Sequence, residues 1–486
     1  MLVWFVVMYL AVTVGIGLYA STRVKNAKDF AAGGRSMPFH IVAAMVFATW
    51  FGSEAVLGIP STFIEEGFHG IVEDPFGSFT CLMLVGLFFA RPLYRMNLLT
   101  MGDFFRQRYG STVEVITSLA IMMSYLGWIA AQLTALGVVF NVLSDGSITT
   151  TQGMLIGAGI VLVYTLFGGM WSVALTDFFQ MVIIVGGLLY LVWLFSGMAG
   201  GADKVIAKAA GEGKFTFITS TEPRDLVAFI GAAVTMMFGS IPQQDVFQRV
   251  MSAKSEKIAV RATIVGAVFY LTFCLLPVFL IYAASMINPA LVQKWLAEDS
   301  QMILPRMILE ETPLFAQVMF FGALLSAIMS TASGTLLAPS VIFVENIFKH
   351  FKPKMSDREF LLATRAAILI CAVGTTLFAL YSDASIYEMV GNAYKVTLVA
   401  AFVPLAAGLF WQRATTQGAM LAIALGVGTW IPLELTATDA DFWPPQLAGL
   451  LMSALGMLLG SLLPQRVTPQ QSQKAGHAPA AQTQAG

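Results

Sequence analysis

The chain has 486 residues, 57% hydrophobic and only 11% charged, with a mean hydropathy of +0.77. An ordinary soluble chain carries about 25% charged residues, so soluble enzymes and nucleic-acid binders are excluded and an all-α polytopic membrane protein in contact with the lipid bilayer is expected. The net charge of -1, from 27 Lys and Arg against 28 Asp and Glu, points to no polyanionic partner.

A crossing needs about 20 mostly apolar residues. About thirteen segments qualify, near 2–20, 39–63, 75–94, 114–142, 151–169, 173–198, 226–243, 259–287, 314–346, 360–381, 385–411, 416–434 and 445–463. Segment 2–20 lacks a basic start and a small-residue cleavage site, so it reads as a span and not as a signal peptide. With the N-terminus outside, the outer loops hold six cations: Lys204, Lys208, Lys214, Arg224, Lys294 and Arg306. Lys395 falls inside a span, and the remaining twenty, Arg249 among them, fall in inner loops or the tail. This bias predicts a plasma-membrane protein with a cytoplasmic C-terminus. The segment 465–486 is rich in Gln, Ala and Pro and reads as a disordered tail.

Cys81, Cys274 and Cys371 lie singly in apolar runs, which argues against disulfides and metal clusters. His40, His69, His350 and His477 scatter over loops and ends, and no nucleophile–base set suggests an enzyme.

The second span contains ATWFGSEAVLGIP (48–60) and the seventh TMMFGSIPQQDVF (235–247). Each carries Phe-Gly-Ser and then meets a proline, Pro60 or Pro242, so both helices are expected to be interrupted within the membrane. The triplets lie five spans apart in the chain order, an odd step, which makes the copies antiparallel. Such paired interruptions point to an inverted-repeat transporter with its site at the midplane.

The ninth span, FFGALLSAIMSTASGTLLAPS (320–340), crowds Ser326, Ser330, Thr331, Ser333 and Thr335. Ala327, Ser330 and Thr331 share a face by i, i+3, i+4 spacing. One carbonyl and two hydroxyls there offer three neutral oxygens suited to a weakly held sodium ion, while close helix packing through small residues fits the same spacing.

Ionisable residues inside a membrane are costly and suggest function. Glu54, Asp177, Asp245, Glu388 and Lys395 are of this kind, and Glu54 is a candidate partner for Lys395. Trp50 and Trp128 lie mid-span, placed to wall a site or to fill volume.

These residues resemble the sodium/solute symporter family over about residues 5–465. LFGGMWSVALTDFFQ (166–180) is similar to the family's signature, supported by GLFFARPLYRMNLLTMGDFFRQRYG (86–110), IPQQDVFQRVMSA (241–253) and SQMILPRMIL (300–309). The choline-transporter branch reads nearest. The resemblance implies a five-plus-five inverted-repeat core at 38–412 (repeats about 38–198 and 225–412), preceded by a leading helix and loop at 1–37 and followed by two trailing helices at 413–464. It implies sodium as coupling ion (Na+) held by Ala48, Phe51, Ala327, Ser330 and Thr331, with Asp177 supporting the ion path from behind. A small organic solute is then expected against Trp50, Glu54, Trp128, Gln243, Gln244 and Lys395. Choline-branch members place a tryptophan where this chain has Gln243, and Lys395 would favour a carboxylate-bearing solute. A proton-coupled symporter and a transporter-like sensor are the alternatives.

Overall fold

A computed structural model of the chain describes residues 2–22, 26–436, 438 and 442–466. The long helices, in chain order, are α1 (Leu2–Ser21), α2 (Phe39–Trp50), α3 (Glu54–Gly70), α4 (Val72–Met96), α5 (Met101–Tyr109), α6 (Ser111–Leu143) and α7 (Thr150–Met198). They continue as α8 (Pro223–Gly239), α9 (Gln244–Ser252), α10 (Glu256–Ile287), α11 (Leu314–Phe351), α12 (Asp357–Tyr381), α13 (Ile386–Phe410), α14 (Thr416–Thr436) and α15 (Pro445–Leu462). Apolar sequence drives helix because a spanning backbone must satisfy its own hydrogen bonds.

Among the described residues, nine helices are long and apolar enough to cross, or eleven if the bent pairs α2/α3 and α8/α9 each count as one span. Two shorter apolar helices, Trp4–Ala20 and Thr150–Val163, occupy the other two places where spans were expected. The second of these belongs to α7, which kinks at Gly169 (φ 51°), where a Cβ would meet the Phe30 ring at 2.6 Å. Only glycine accepts that backbone at so close an approach.

Both expected interruptions are present. α2 and α3 bend by 59°, α8 and α9 by 44°. The first break falls at Phe51–Ser53, ahead of Pro60, which α3 accommodates behind a wide turn at Glu54–Gly58 whose hydrogen bond runs from Ile59 N to Glu54 O. Three further wide turns lie at Val85–Phe89, Phe343–Phe348 and Leu398–Phe402, whereas Val72–Gly77 is broken at Asp74, whose backbone is extended.

α14 and α15 form a hairpin with backbones in near contact. A Cβ on Gly456 would lie 2.6 Å from Leu421 O, and one on Gly460 2.7 Å from Gly418 Cα, so small residues set this packing. The tail expected from residue 465 lies outside the described residues from 467 onward. Its first two residues are tied down, with Gln465 donating to Gly460 O and Arg466 N to Gln417 Oε1.

Candidate functional site

A helix end leaves its last four carbonyls without intrahelical partners. At the end of α2, Phe47 O accepts from Phe51 N at 2.9 Å, and Thr49 O accepts from Thr331 Oγ1 of α11 at 2.8 Å. Ser330 Oγ donates to Asp177 Oδ1 of α7 at 2.6 Å, and Thr49 Oγ1 lies 3.4 Å from Asp177 Oδ2. Ala48, Phe51, Ala327, Ser330, Thr331 and Asp177 are all fully buried. Two helices, α2 and α11, thus gather neutral oxygens in front of one carboxylate from a third, α7.

Behind this cluster stands Arg249, which charge counting had assigned to an inner loop. It is instead buried in α9, 1% exposed. Its Nε and Nη2 both donate to Thr49 Oγ1, at 3.1 and 2.7 Å, and Nη1 donates to Asp245 O at 3.2 Å. The guanidinium lies within electrostatic range of the Asp177 and Asp245 carboxylates, which offsets the cost of burying it. Gly334 makes the room, since a Cβ there would lie 2.4 Å from Nη2. The sequence signal was the position of Arg249 next to the second broken helix.

On the other side of the α2/α3 break the aromatic side chains form a box. Trp50 stacks on Tyr394 at 6.2 Å between centroids and meets Trp128 and Tyr270 edge-on at 5.9 and 6.2 Å. Tyr125 stacks on Trp128 at 6.2 Å, and Trp128 meets Tyr394 at 5.6 Å. Five rings from α2, α6, α10 and α13 therefore meet in one contiguous cluster. The three tyrosines were not singled out from sequence; Tyr125, at i−3 from Trp128 on the same helical face, was the one with a local signal.

Carboxylates edge this box. Glu54 accepts from Trp128 Nε1 at 3.2 Å and Gln132 Nε2 at 2.9 Å. Asp74 Oδ1 accepts from Tyr270 at 2.5 Å, and Asp245 Oδ1 from Tyr125 at 2.6 Å. Asp74 escaped notice because the third span was expected to start at 75, whereas α4 starts at Val72 and buries it to 1% exposure. Gln243 Nε2 donates to Ser124 Oγ, the residue before Tyr125, at 2.8 Å.

The other candidate residues turn elsewhere. Lys395 does not pair with Glu54. Its Nζ lies 2.6 Å from Glu434 Oε1 of α14, within electrostatic range of Glu73, because the trailing helix supplies a carboxylate at the same level. Gln244 Oε1 accepts from Met101 N at 2.8 Å and so caps α5. Glu388 is the capping partner of Ser385 at the start of α13. With Lys395 and Glu434 side chains 20% and 34% exposed, the pair contributes about 1 kcal/mol or less. Lys395→Gln, Glu434→Gln and the double variant are each expected to keep solute uptake within about threefold of wild type; a tenfold loss in Lys395→Gln alone would return Lys395 to the solute site.

Two broken helices crossing at a buried, oxygen-lined and aromatic centre define a secondary transporter built on an inverted repeat. A model of the sodium:solute symporter family matches residues 30–426, and the chain belongs to that family. It is a sodium-coupled symporter of a small organic solute and not an enzyme. Human "High affinity choline transporter 1" is 27% identical over 442 residues, covering 88% of this chain and 75% of that one. The "High-affinity proline transporter PutP" of Bacillus subtilis (strain 168) is 25% identical over 476 residues, covering 93% and 95%. The fold is similar to that of a substrate-bound, outward-open Na+-coupled sialic acid symporter, with a TM-score of 0.79 at 21% identity over 95% of this chain and 97% of that one.

Proposed function

We propose that the solute is a small organic cation, bound in the five-ring box and imported with sodium held between α2 and α11. The observation that carries this reading is the charge balance of the centre. Glu54, Asp74, Asp177 and Asp245 are each at most 2% exposed, and Arg249 is the basic side chain buried among them. Buried negative charge in excess demands cations, and the faces of Trp50, Trp128 and Tyr394 attract a desolvated cation by about 2 kcal/mol. Lys395, which would have favoured a carboxylate, is engaged by Glu434. The name of the human relative, a choline transporter, supports the same class of solute.

Sodium takes the carbonyls of Ala48, Phe51 and Ala327 with the hydroxyls of Ser330 and Thr331, and Asp177 orients Ser330 from behind. Of the solute contacts, Trp50, Glu54, Trp128 and Gln243 line the box, with Tyr125, Tyr270 and Tyr394 added. The core spans 38–412, with α14 and α15 as a trailing unit at 413–464 and the N-terminus outside. Sodium joins α2 to α11 and favours the outward-open state, after which solute closure lets the halves rock inward.

One sodium crossing about 100 mV down a tenfold gradient supplies about 3.7 kcal/mol, and a cationic solute gains about 2.3 kcal/mol more from the same potential. Such a solute can therefore accumulate on the order of ten-thousandfold. The test is charge per solute in proteoliposomes, with labelled choline, proline and a short carboxylate under an imposed sodium gradient. Two charges per organic cation are expected with one sodium. Selective uptake of proline or of the carboxylate would overturn the solute class, and uptake driven by protons alone would overturn the sodium site.

A further inference from the structure

The box holds more unpaired acceptors than a methylated cation can use. Asp74 Oδ2, beside the Ser78 hydroxyl, has no hydrogen bond of good geometry, and Asp245 Oδ2, Gln243 Oε1 and the Tyr394 hydroxyl have none either. All four residues are at most 1% exposed. The ring cluster links the two carboxylates: Tyr270, bonded to Asp74, meets Trp50, Tyr125, bonded to Asp245, stacks on Trp128, and both tryptophans meet Tyr394. The two carboxylates reach it from opposite elements, Asp74 from the non-helical start of α4 (φ −141°, ψ 122°) and Asp245 from the first turn of α9.

A buried acceptor is stable when it is paired with a donor. Tyr270 and Tyr125 each donate one O–H and satisfy only the near oxygen, Oδ1, of Asp74 and Asp245. A quaternary ammonium presents methyl groups and no N–H, so it answers the ring faces and leaves these oxygens unpaired. A protonated primary or secondary amine carries the same charge and adds three or two N–H donors, and an amidinium adds four; these form the short, charge-assisted bonds that carboxylates accept. We infer that the solute is a cation bearing N–H groups, a protonated primary or secondary amine or a guanidinium-like group, held by Asp74 Oδ2 and Asp245 Oδ2 and backed by the rings. The inference rests on the cationic-solute reading above and narrows it.

Ethanolamine, N-methylethanolamine, N,N-dimethylethanolamine and choline form a series that keeps the charge and removes N–H donors one at a time. Their sodium-dependent stabilisation of the purified full chain, read as the shift in unfolding temperature against concentration, gives a half-saturation for each. Half-saturation is expected to rise tenfold or more from ethanolamine to choline. In Asp74→Asn and Asp245→Asn that ratio should fall below threefold; if either variant does not fold, the wild-type series decides alone. Choline binding as tightly as ethanolamine, or a ratio unchanged in both folded variants, overturns the N–H assignment and leaves the cationic site standing. Stabilisation by proline or a carboxylate and by none of the four amines overturns the cationic reading itself.

Discussion

Replacing Ser330 and Thr331 together by alanine is expected to abolish sodium-driven uptake, by at least a hundredfold at a sodium concentration that saturates the wild type. The double change deletes two hydroxyl oxygens from one face of α11. It also removes the tie from Thr331 to Thr49 O and the bond from Ser330 to Asp177. A hydrogen bond to a charged group is worth about 1.5–3 kcal/mol, so the Asp177 contact alone accounts for tenfold or more, and loss of the two proposed ion ligands is expected to supply the rest. Ser340→Ala is the control, since that hydroxyl bonds only within its own helix, to Leu336 O. Uptake at varied sodium in proteoliposomes checks the result. Ordinary sodium dependence in the double variant would remove the ion site from α11.

The second large effect is expected at Arg249. Arg249→Gln withdraws the buried cation that faces both Asp177 and Asp245 and breaks its two donations to Thr49. Breaking a buried charge arrangement by removing one partner costs about 3–5 kcal/mol, which for a chain of this length should lower the unfolding midpoint in detergent by about 3–5 °C. Arg249→Lys restores the charge but not the planar fork and should recover only part of that loss. Adding Asp177→Asn to Arg249→Gln should recover stability relative to Arg249→Gln alone, because it removes a carboxylate left unpaired. Simple addition of the two single effects would show that Asp177 and Arg249 do not act on each other.

The frame of the molecule was legible in its sequence because the bilayer imposes a coarse rule: apolar stretches of spanning length become helices, and Gly/Pro interruptions at matching places become breaks. The oxygen cluster was legible for a related reason, since Ala327, Ser330 and Thr331 lie on one face of one helix. Contacts between helices were not. Lys395 found Glu434 across 39 residues, and Tyr270 and Tyr394 reached the box from α10 and α13, whose sequences give no sign of what they face. Arg249 was misplaced because charge counting treats every arginine near a span end as a loop residue, and nothing in that count weighs the two carboxylates that make burial tolerable.

The four wide turns have a mechanical consequence. In the turn at Glu54–Gly58 the backbone bond reaches five residues on, from Ile59 N to Glu54 O, and at Val85–Phe89 from Ala90 N to Val85 O. Each such turn seats one residue more than an α-helix would, and one residue is about 100° of azimuth. A wide turn that tightens therefore spins everything beyond it by up to a quarter of a revolution while the helix ends stay at nearly the same depth. Glu54 opens one of these turns, so its carboxylate stands on a swivel: it can be aimed into the box or away from it by torsion, without sliding a helix through the bilayer.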